Sequence, residues 1–195
     1  GTDRVGVSVV VNPSVSAGSD QTICEGTIAT LTATPGGGTA PYRYAWTTGD
    51  SLARISVAPG ASSAYVIVLT DSNNCSASDE VQIQVAPLPV ASIQGNNQVC
   101  QGNNVTLTAS GGSSFRWNNG NTSSRISVSP GVSSVYEVVV SNPEGCSDTA
   151  SFSLEVLLLP VVSLPVQATL TQGERLQLDA GGSADTYVWT PVEGL

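Results

Sequence analysis

Apolar and polar residues alternate along short stretches of the chain, and no stretch carries apolar residues at helical spacing. Alternation with a period of two, in segments rich in Val, Ile, Thr and Tyr, is typical of strands that bury one face. Residues that favour turns, such as Gly, Pro, Asn, Asp and Ser, separate these segments. The pattern therefore predicts an all-β fold. In the first half of the chain, it predicts six strands, near residues 15–18, 27–34, 42–47, 53–58, 64–70 and 79–86.

The apolar positions of the predicted strands define a core that contains a tryptophan. In the first half of the chain, this core comprises Ala29, Leu31, Ala33, Tyr44, Trp46, Ile55, Val57, Val81, Ile83 and Val85. Further along, the corresponding positions are Val105, Leu107, Ala109, Phe115, Trp117, Ile126, Val128, Phe152 and Leu154. Near the end of the sequence, the same pattern begins again with Leu176, Leu178, Ala180, Tyr187 and Trp189.

The chain repeats itself at a shift of 71 residues. The segment ARISVAPGASSAY, residues 53–65, returns as SRISVSPGVSSVY, residues 124–136, with nine of thirteen letters unchanged. The same shift superposes Cys75 on Cys146. A period of this length exceeds the roughly 20–50 residues of solenoid repeats. Each copy is therefore predicted to be a small domain, and the repeated segment to be a strand, a Pro-Gly turn and a corner tyrosine that leads into the next strand.

Six or seven short antiparallel strands around a tryptophan predict a β-sandwich module of immunoglobulin type. The predicted array is truncated at both ends. It contains the last strand of a preceding module at residues 1–13, one module at 14–87, a second at 88–160 and the beginning of a third at 161–195.

Short links that bear proline join the copies, at residues 86–90 and 157–161. Proline fixes φ and favours extended chain. We expect consecutive modules to stand nearly end to end as a semi-rigid rod, with the apolar residues beside the prolines buried against both neighbours.

The charge and composition of the chain exclude several classes of function. Fifteen acidic residues stand against six basic ones, all of which are Arg, and the net charge is −9. Affinity for nucleic acid or anionic lipid comes largely from clustered Lys and Arg, so neither is an expected partner. The absence of His removes the usual general base and every Ser/His or Cys/His pair. The longest apolar run, residues 156–162, is far shorter than the roughly 20 residues of a membrane span.

The four cysteines are expected to form one disulfide in each copy. Pairing Cys24 with Cys75, and Cys100 with Cys146, respects the repeat, although four cysteines permit three connectivities. The alternative is a zinc site, but no CxxC pair is present. Disulfides imply an oxidising compartment, so we expect an exported protein whose export signal lies outside this sequence or has been removed.

Several phrases together resemble a known family of repeat modules. They are SAGSDQTICEG at residues 16–26, YAWTTGD at 44–50, DSNNCS at 71–76 and YVWTPVEGL at 187–195. The chain resembles the PKD-like and Ig-like modules strung along very large secreted and cell-surface proteins of Bacteroidetes. The resemblance implies export across the outer membrane, commonly by the type IX route. The sequence departs from the PKD pattern after Trp46, and it has Thr171 where a third-copy cysteine is expected.

Other candidate sites are weaker. Asp20, Asp71 and Asp79 recur near the predicted module poles and are candidates for a calcium site, although solvated turn acids are the simpler interpretation. No cofactor is otherwise expected. The acids Glu25, Asp50, Glu137 and Glu144 form no matched pair for glycoside hydrolysis, so neither catalytic residues nor enzymatic activity are predicted.

Side chains in loops and on strands offer a few contacts for partners. Tyr42 is the aromatic that stands clear of the core pattern, and it is the candidate ligand residue. Ser51 and Thr149 fit an O-glycosylation pattern of Bacteroidetes. Arg54 and Arg125 occupy equal positions, which favours a structural role with each guanidinium paired to a neighbouring carboxylate or carbonyl.

These observations lead to two hypotheses about function. The leading one is a structural role, as spacer modules of a large bacterial surface protein such as an adhesin or a gliding-motility protein. The alternative is a carbohydrate-binding or accessory module of a secreted polysaccharide-degrading protein. The expected partners are the neighbouring modules of the same chain, with glycans or other cell-surface proteins as further candidates.

Overall fold

The computed structural model describes residues 11–163, 172, 175, 177, 180–188 and 190. Over these residues the chain forms strands and turns without any helix, so none of this part offers a helix that could cross a membrane. The strands are β1 (Pro13–Ser16), β2 (Gln21–Cys24), β3 (Ala29–Thr32), β4 (Thr34–Gly37), β5 (Arg43–Trp46), β6 (Arg54–Val57), β7 (Ser63–Thr70), β8 (Ser76–Ala86), β9 (Ser92–Gln94), β10 (Gln98–Cys100), β11 (Val105–Ser110), β12 (Ser114–Trp117), β13 (Arg125–Val128), β14 (Ser134–Ser141), β15 (Ser147–Leu157), β16 (Val162–Ser163) and β17 (Gly181–Gly182).

Strands β1–β8 form the first module as a two-layer sandwich. In one layer, β1 pairs with β4 and β3 pairs with β6, and β3 and β4 follow one another along residues 29–37. The other layer has the strand order β2-β8-β7-β5. In immunoglobulin lettering, these layers contain strands A, B and E, and strands A′, G, F and C.

Strands β9–β15 repeat this arrangement in the second module. The two layers have the orders β13-β11-β9 and β10-β15-β14-β12, and no described sheet contains strands of both modules. The predicted all-β fold of tandem immunoglobulin-like sandwiches is confirmed. Strand β1 begins at Pro13, β8 ends at Ala86 and β15 ends at Leu157, while the module boundaries themselves stay a prediction.

Each module has its own hydrophobic core, and every core residue predicted for the first two copies is buried or half-buried. The indole N–H of Trp46 donates to the carbonyl of Leu52 at 2.9 Å, and that of Trp117 donates to the carbonyl of Ser123 at 2.8 Å. The cores thus bury the two largest side chains without leaving their polar atoms unpaired.

The most deeply buried residues of β7 and β14 are absent from the predicted core. Ile67, Leu69, Val138 and Val140 are all fully buried. These strands carry apolar residues on both faces, for example the exposed Val68 beside the buried Ile67. Alternation therefore does not reveal which face is inside. The corner tyrosines, Tyr65 and Tyr136, each pack against the core of their own module, but neither hydroxyl forms a hydrogen bond within the described residues.

The expectation of purely antiparallel strands is wrong at one place in each module. Strand β2 runs parallel to the end of β8, with Cys24 opposite Ala86, and β10 runs parallel to the end of β15, with Cys100 opposite Leu157. The prediction passed over β2 and β10 because they are only four and three residues long. A strand this short gives little alternation to recognise.

The linker between the modules differs from the expectation that its apolar residues are buried. Leu88 is 47% exposed and Val90 is 78% exposed. The two modules are therefore not joined through an apolar contact at these side chains. The predicted strand in residues 1–13 falls mostly on residues 1–10, which lie outside the described residues, as do Leu176, Leu178 and Trp189 of the third copy.

Candidate functional site at the module junction

Cys24 lies at the end of the first module from which the chain enters the linker. It is the last residue of β2 and stands opposite Ala86, the last residue of β8. The N–H of Glu25 donates to the Ala86 carbonyl at 2.9 Å, which fixes the turn after Cys24 to the start of the linker. Backbone pairing therefore fixes the position of Cys24 at the module's exit.

Cys146 lies in the turn between β14 and β15, at the end of the second module that faces the linker. This turn is closed by a hydrogen bond from the N–H of Asn142 to the carbonyl of Cys146 at 2.9 Å. The N–H of Cys146 in turn donates to Oδ1 of Asn142 at 2.8 Å. Gly145 adopts the left-handed conformation with φ 86°, which a side chain would disfavour.

A disulfide joins Cys24 of the first module to Cys146 of the second. Their Cα atoms are 5.5 Å apart, although 122 residues separate them in sequence. Cys75 and Cys100 are present as thiols, the first half-buried and the second exposed. The disulfide thus crosses the junction and links two modules covalently outside the backbone.

The predicted disulfides within each copy, Cys24 with Cys75 and Cys100 with Cys146, are therefore wrong. Because β2 is parallel to β8, Cys24 lies level with the end of β8, whereas Cys75 immediately precedes its first residue. The eleven residues of β8 separate the two cysteines by more than about 30 Å along the strand. Disulfides require Cα atoms within about 7 Å. The same geometry, with β10 parallel to β15, separates Cys100 from Cys146.

Asn142 also contacts the linker directly. Its Nδ2 donates a hydrogen bond to the carbonyl of Pro87 at 3.0 Å. One side chain therefore orders the turn that carries Cys146 and fixes that turn to the linker. The sequence offered no sign of this role, because the amide is the counterpart of Asp71 in the first copy and a turn residue by composition.

The first module uses the equivalent turn to hold its own loop between β4 and β5, residues 38–42, which is longer than the counterpart at residues 111–113. Asp71 is only 2% exposed and accepts hydrogen bonds from the N–H groups of Thr39 at 3.1 Å, and of Asn73 and Cys75 at 2.9 Å each. Burial raises the pKa of the Asp71 carboxyl, but these backbone donors outweigh burial and hold the pKa below its ordinary value. Asp71 is thus the anionic centre of the loop contact.

The three calcium candidates each accept backbone N–H groups. Asp20 accepts from Gln82 at 2.8 Å, and Asp79 accepts from Ala17 at 2.8 Å. Across the described part of the chain, no group of three or more acidic or cysteine side chains comes together as a metal site would require. The structure therefore does not bring Asp20, Asp71 and Asp79 into one site.

In the second module, Asp148 makes a similar contact from two residues earlier on the last strand, because Ala150 holds the position of Asp79. It accepts from the N–H of Ala91 at 2.9 Å and from its neighbour Thr149 at 2.8 Å. The hydrogen bonds from Ala91 and Thr149 outweigh a smaller effect of burial and lower the pKa of Asp148. In both modules a carboxylate on the last strand accepts from a backbone N–H next to the first strand, after β1 at Ala17 and before β9 at Ala91.

The other predicted residues lie apart from the junction. Tyr42 is half-buried, and its hydroxyl donates to the carbonyl of Gly37 in its own loop. Ser51 and Thr149 are exposed, and their glycosylation stays a prediction. Arg54 and Arg125 are exposed, and within the described residues neither guanidinium forms an ion pair or hydrogen bond, so their expected pairing is not observed.

No protein-family model matches the chain, and no curated protein sequence matches it. Solved structures give similar folds at low identity. A three-domain immunoglobulin fragment of titin has a TM-score of 0.48 and 15% identity, over 90% of this chain and 77% of that one. Murine CEACAM1b has a TM-score of 0.36 and 16% identity, over 75% of this chain and all of that one.

A bacterial ice-binding adhesin of 1.5 MDa gives a TM-score of 0.40 and 15% identity, over 75% of this chain and 64% of that one. At these values, none of the similarities carries an argument about function. The description of the modules as immunoglobulin-like rests on their strand order and on the Trp-centred cores.

Proposed function

We propose that this chain is part of an extracellular spacer, in which tandem immunoglobulin-like modules hold other parts of a large bacterial surface protein at a distance. The observation that carries the proposal is the Cys24–Cys146 disulfide. A catalytic or ligand-binding role would not require neighbouring modules to be cross-linked. A spacer benefits directly, because a covalent bond beside the linker restricts how far one module can swing against the next.

Three connections join the modules at this junction: the linker, the disulfide and one hydrogen bond. The linker leaves the first module at Ala86, the disulfide lies beside it, and Asn142 donates to the carbonyl of Pro87. A proline-bearing linker alone limits bending only in part. With a second covalent connection the junction can rotate only about the short axis between the two attachment points. The modules are therefore expected to stand end to end as a semi-rigid rod.

The disulfide also supports an extracellular location. Disulfides persist in secreted and surface proteins and are rare in reducing cytosol. Together with the resemblance to repeat modules of Bacteroidetes surface proteins, this favours an exported protein of the adhesin or gliding-motility kind. Glycan binding stays a prediction. The hydroxyl of Tyr42 donates to the Gly37 carbonyl of its own loop, and this contact gives no support for glycan binding.

Small-angle X-ray scattering of the intact chain tests the spacer. A compact body of this length would have a radius of gyration of about 16 Å. We expect a clearly larger value and a skewed distribution of interatomic distances that ends at one well-defined maximum dimension, with a wider spread of maximum dimensions for Cys24→Ser. Cys75→Ser is the matched control, because it removes a thiol outside the disulfide, and it should leave the curve unchanged. A compact particle, or a curve that Cys24→Ser does not alter, would contradict the proposal.

A further inference from the structure

The two thiols of the chain occupy the same backbone settings as the two cysteines of the disulfide. Cys100 ends β10 opposite Leu157, as Cys24 ends β2 opposite Ala86. After it, the N–H of Gln101 donates to the Leu157 carbonyl at 2.8 Å, as Glu25 does to Ala86 at 2.9 Å. Both turns continue with a left-handed glycine, Gly102 or Gly26. Cys100 is thus placed at the exit of the second module as Cys24 is at the exit of the first.

Cys75 repeats the setting of Cys146 in the same way. The N–H of Asp71 donates to the carbonyl of Cys75 at 2.9 Å, and the N–H of Cys75 donates to the Asp71 carboxylate. Asn74, with φ 64°, takes the left-handed position that Gly145 holds in the other turn. The turn that presents a cysteine to the preceding module is therefore formed in the first module as well.

From this equivalence, we propose that Cys100 and Cys75 each form a further disulfide with a neighbouring module. Cys100 bonds to the cysteine in the equivalent turn of a module placed after it. Cys75 accepts the corresponding bond from a module placed before it. The two modules, with four cysteines between them, then each carry one cysteine for each neighbour, and such modules are linked in series.

Formation of each bond is an ordinary two-electron oxidation. The two Sγ–H bonds break, one Sγ–Sγ bond forms, and two protons pass to solvent. The two electrons, with two protons taken back from solvent, reduce a disulfide oxidant, such as the active-site disulfide of an oxidoreductase or oxidised glutathione, to two thiols. The exposure of Cys100 leaves its sulfur open to such exchange. The linkage would form whether or not the array serves as a spacer.

A tandem duplication of residues 87–157 within the full chain tests the proposed disulfide of Cys100. It places a second copy of the module after Leu157 and reproduces the first linker, including the Pro87 carbonyl that accepts from Asn142. A Thr149→Ser change in the second copy marks its Cys146 peptide by mass. After refolding in a glutathione redox buffer and alkylation of remaining thiols, peptides are mapped without reduction.

We expect Cys100 of the first copy to be bonded to the marked Cys146 of the second, with Cys24 still bonded to the unmarked one. In the parent chain, Cys75 and Cys100 should both be alkylated in full. Changing the first-copy Cys100 to Ser should leave the marked Cys146 alkylated. Alkylation of Cys100 at the parental level, while the Cys24–Cys146 bond is intact, would overturn the proposal, as would a Cys100–Cys146 bond within one copy.

A second chain, with residues 13–159 duplicated in tandem, tests Cys100 and Cys75 together. Pro13 then takes the place that Pro89 holds in the first linker, and the turn with Cys75 faces Cys100 of the preceding copy. We expect a Cys100–Cys75 bond across the new junction. If Cys75 stays alkylated here while the first duplication gives its bond, the assignment of Cys75 is wrong.

Discussion

Asp71 and Asn142 occupy the same position in two equivalent turns, and each accepts a hydrogen bond from the N–H of the cysteine four residues later, at 2.9 and 2.8 Å. They differ in what faces the second atom of the side chain. Asp71 meets the N–H of Thr39, which needs an acceptor, whereas Asn142 meets the carbonyl of Pro87, which needs a donor. The change from carboxylate to amide therefore marks whether the turn holds its own loop or the neighbouring linker.

Replacing Asn142 by Asp should loosen the junction without disturbing the turn. The carboxylate still accepts from Cys146, but it meets the Pro87 carbonyl with a second acceptor. Loss of one such hydrogen bond is worth about 1 kcal/mol, which corresponds to about fivefold in an equilibrium constant. The exchange equilibrium of the Cys24–Cys146 disulfide with glutathione should shift towards the thiols by at least that factor.

The matched control for this change is Asn118→Asp, which removes a similar bond from Nδ2 to the Val135 carbonyl at 3.0 Å, away from the linker. It should leave the exchange equilibrium unchanged. Equal shifts for the two variants would show that Asn142 has no special role at the junction.

Acid should destabilise both modules through Asp71 and Asp148. Backbone hydrogen bonds hold the pKa of both carboxyls below the ordinary value, so their contribution is fully present above about pH 4. It is lost as the pH falls through the lower pKa of the folded protein, because protonation is then easier in the unfolded chain. Urea unfolding from pH 7 down to pH 2 should show this loss.

Asp148→Asn separates the titration from other effects of acid. The variant should be less stable than the parent at pH 7, and its unfolding free energy should fall less steeply below pH 4. The exposed Glu144, changed to Gln, serves as a surface control of equal charge change. An unchanged slope for Asp148→Asn would refute the assignment of the acid sensitivity to this carboxylate.

Gly145→Ala should destabilise the turn that carries Cys146. A Cβ at this position meets nothing within 4 Å, so the cost arises from the left-handed conformation with φ 86° alone. For a residue other than Gly that cost is about 1–2 kcal/mol. Thermal unfolding should show a lower Tm for the second module. Gly131→Ala also adds a Cβ in open space, but without positive φ, and should be close to neutral.

Trp117→Phe should destabilise the second module by about 2–3 kcal/mol, because it leaves a cavity and removes the donor to the Ser123 carbonyl. Trp46→Phe should act in the same way on the first module, through the Leu52 carbonyl. Leu52→Ala keeps that carbonyl and changes an exposed side chain, so its effect should stay within about 0.5 kcal/mol. Hydrogen exchange resolved by module would measure each effect separately.

The sequence is sufficient to predict the all-β fold and most of the core, because alternation along β3, β6 and β8 is regular. It does not predict the disulfide, which depends on the parallel pairing of β2 with β8. That pairing places Cys24 at the far end of the module from Cys75. The repeat correctly shows which cysteines are equivalent, but equivalence alone cannot say whether a pair closes within one module or across two.

The disulfide also changes the route by which a pulling force travels along the chain. Tension applied outside Cys24 and Cys146 passes through their sulfur atoms and bypasses the 122-residue separation between them. That segment includes most strands of both modules and would otherwise add about 440 Å of contour length when unravelled. Under load, the oxidised pair of modules yields only at its outer ends, so reduction of one bond converts a short tether into a long, extensible one.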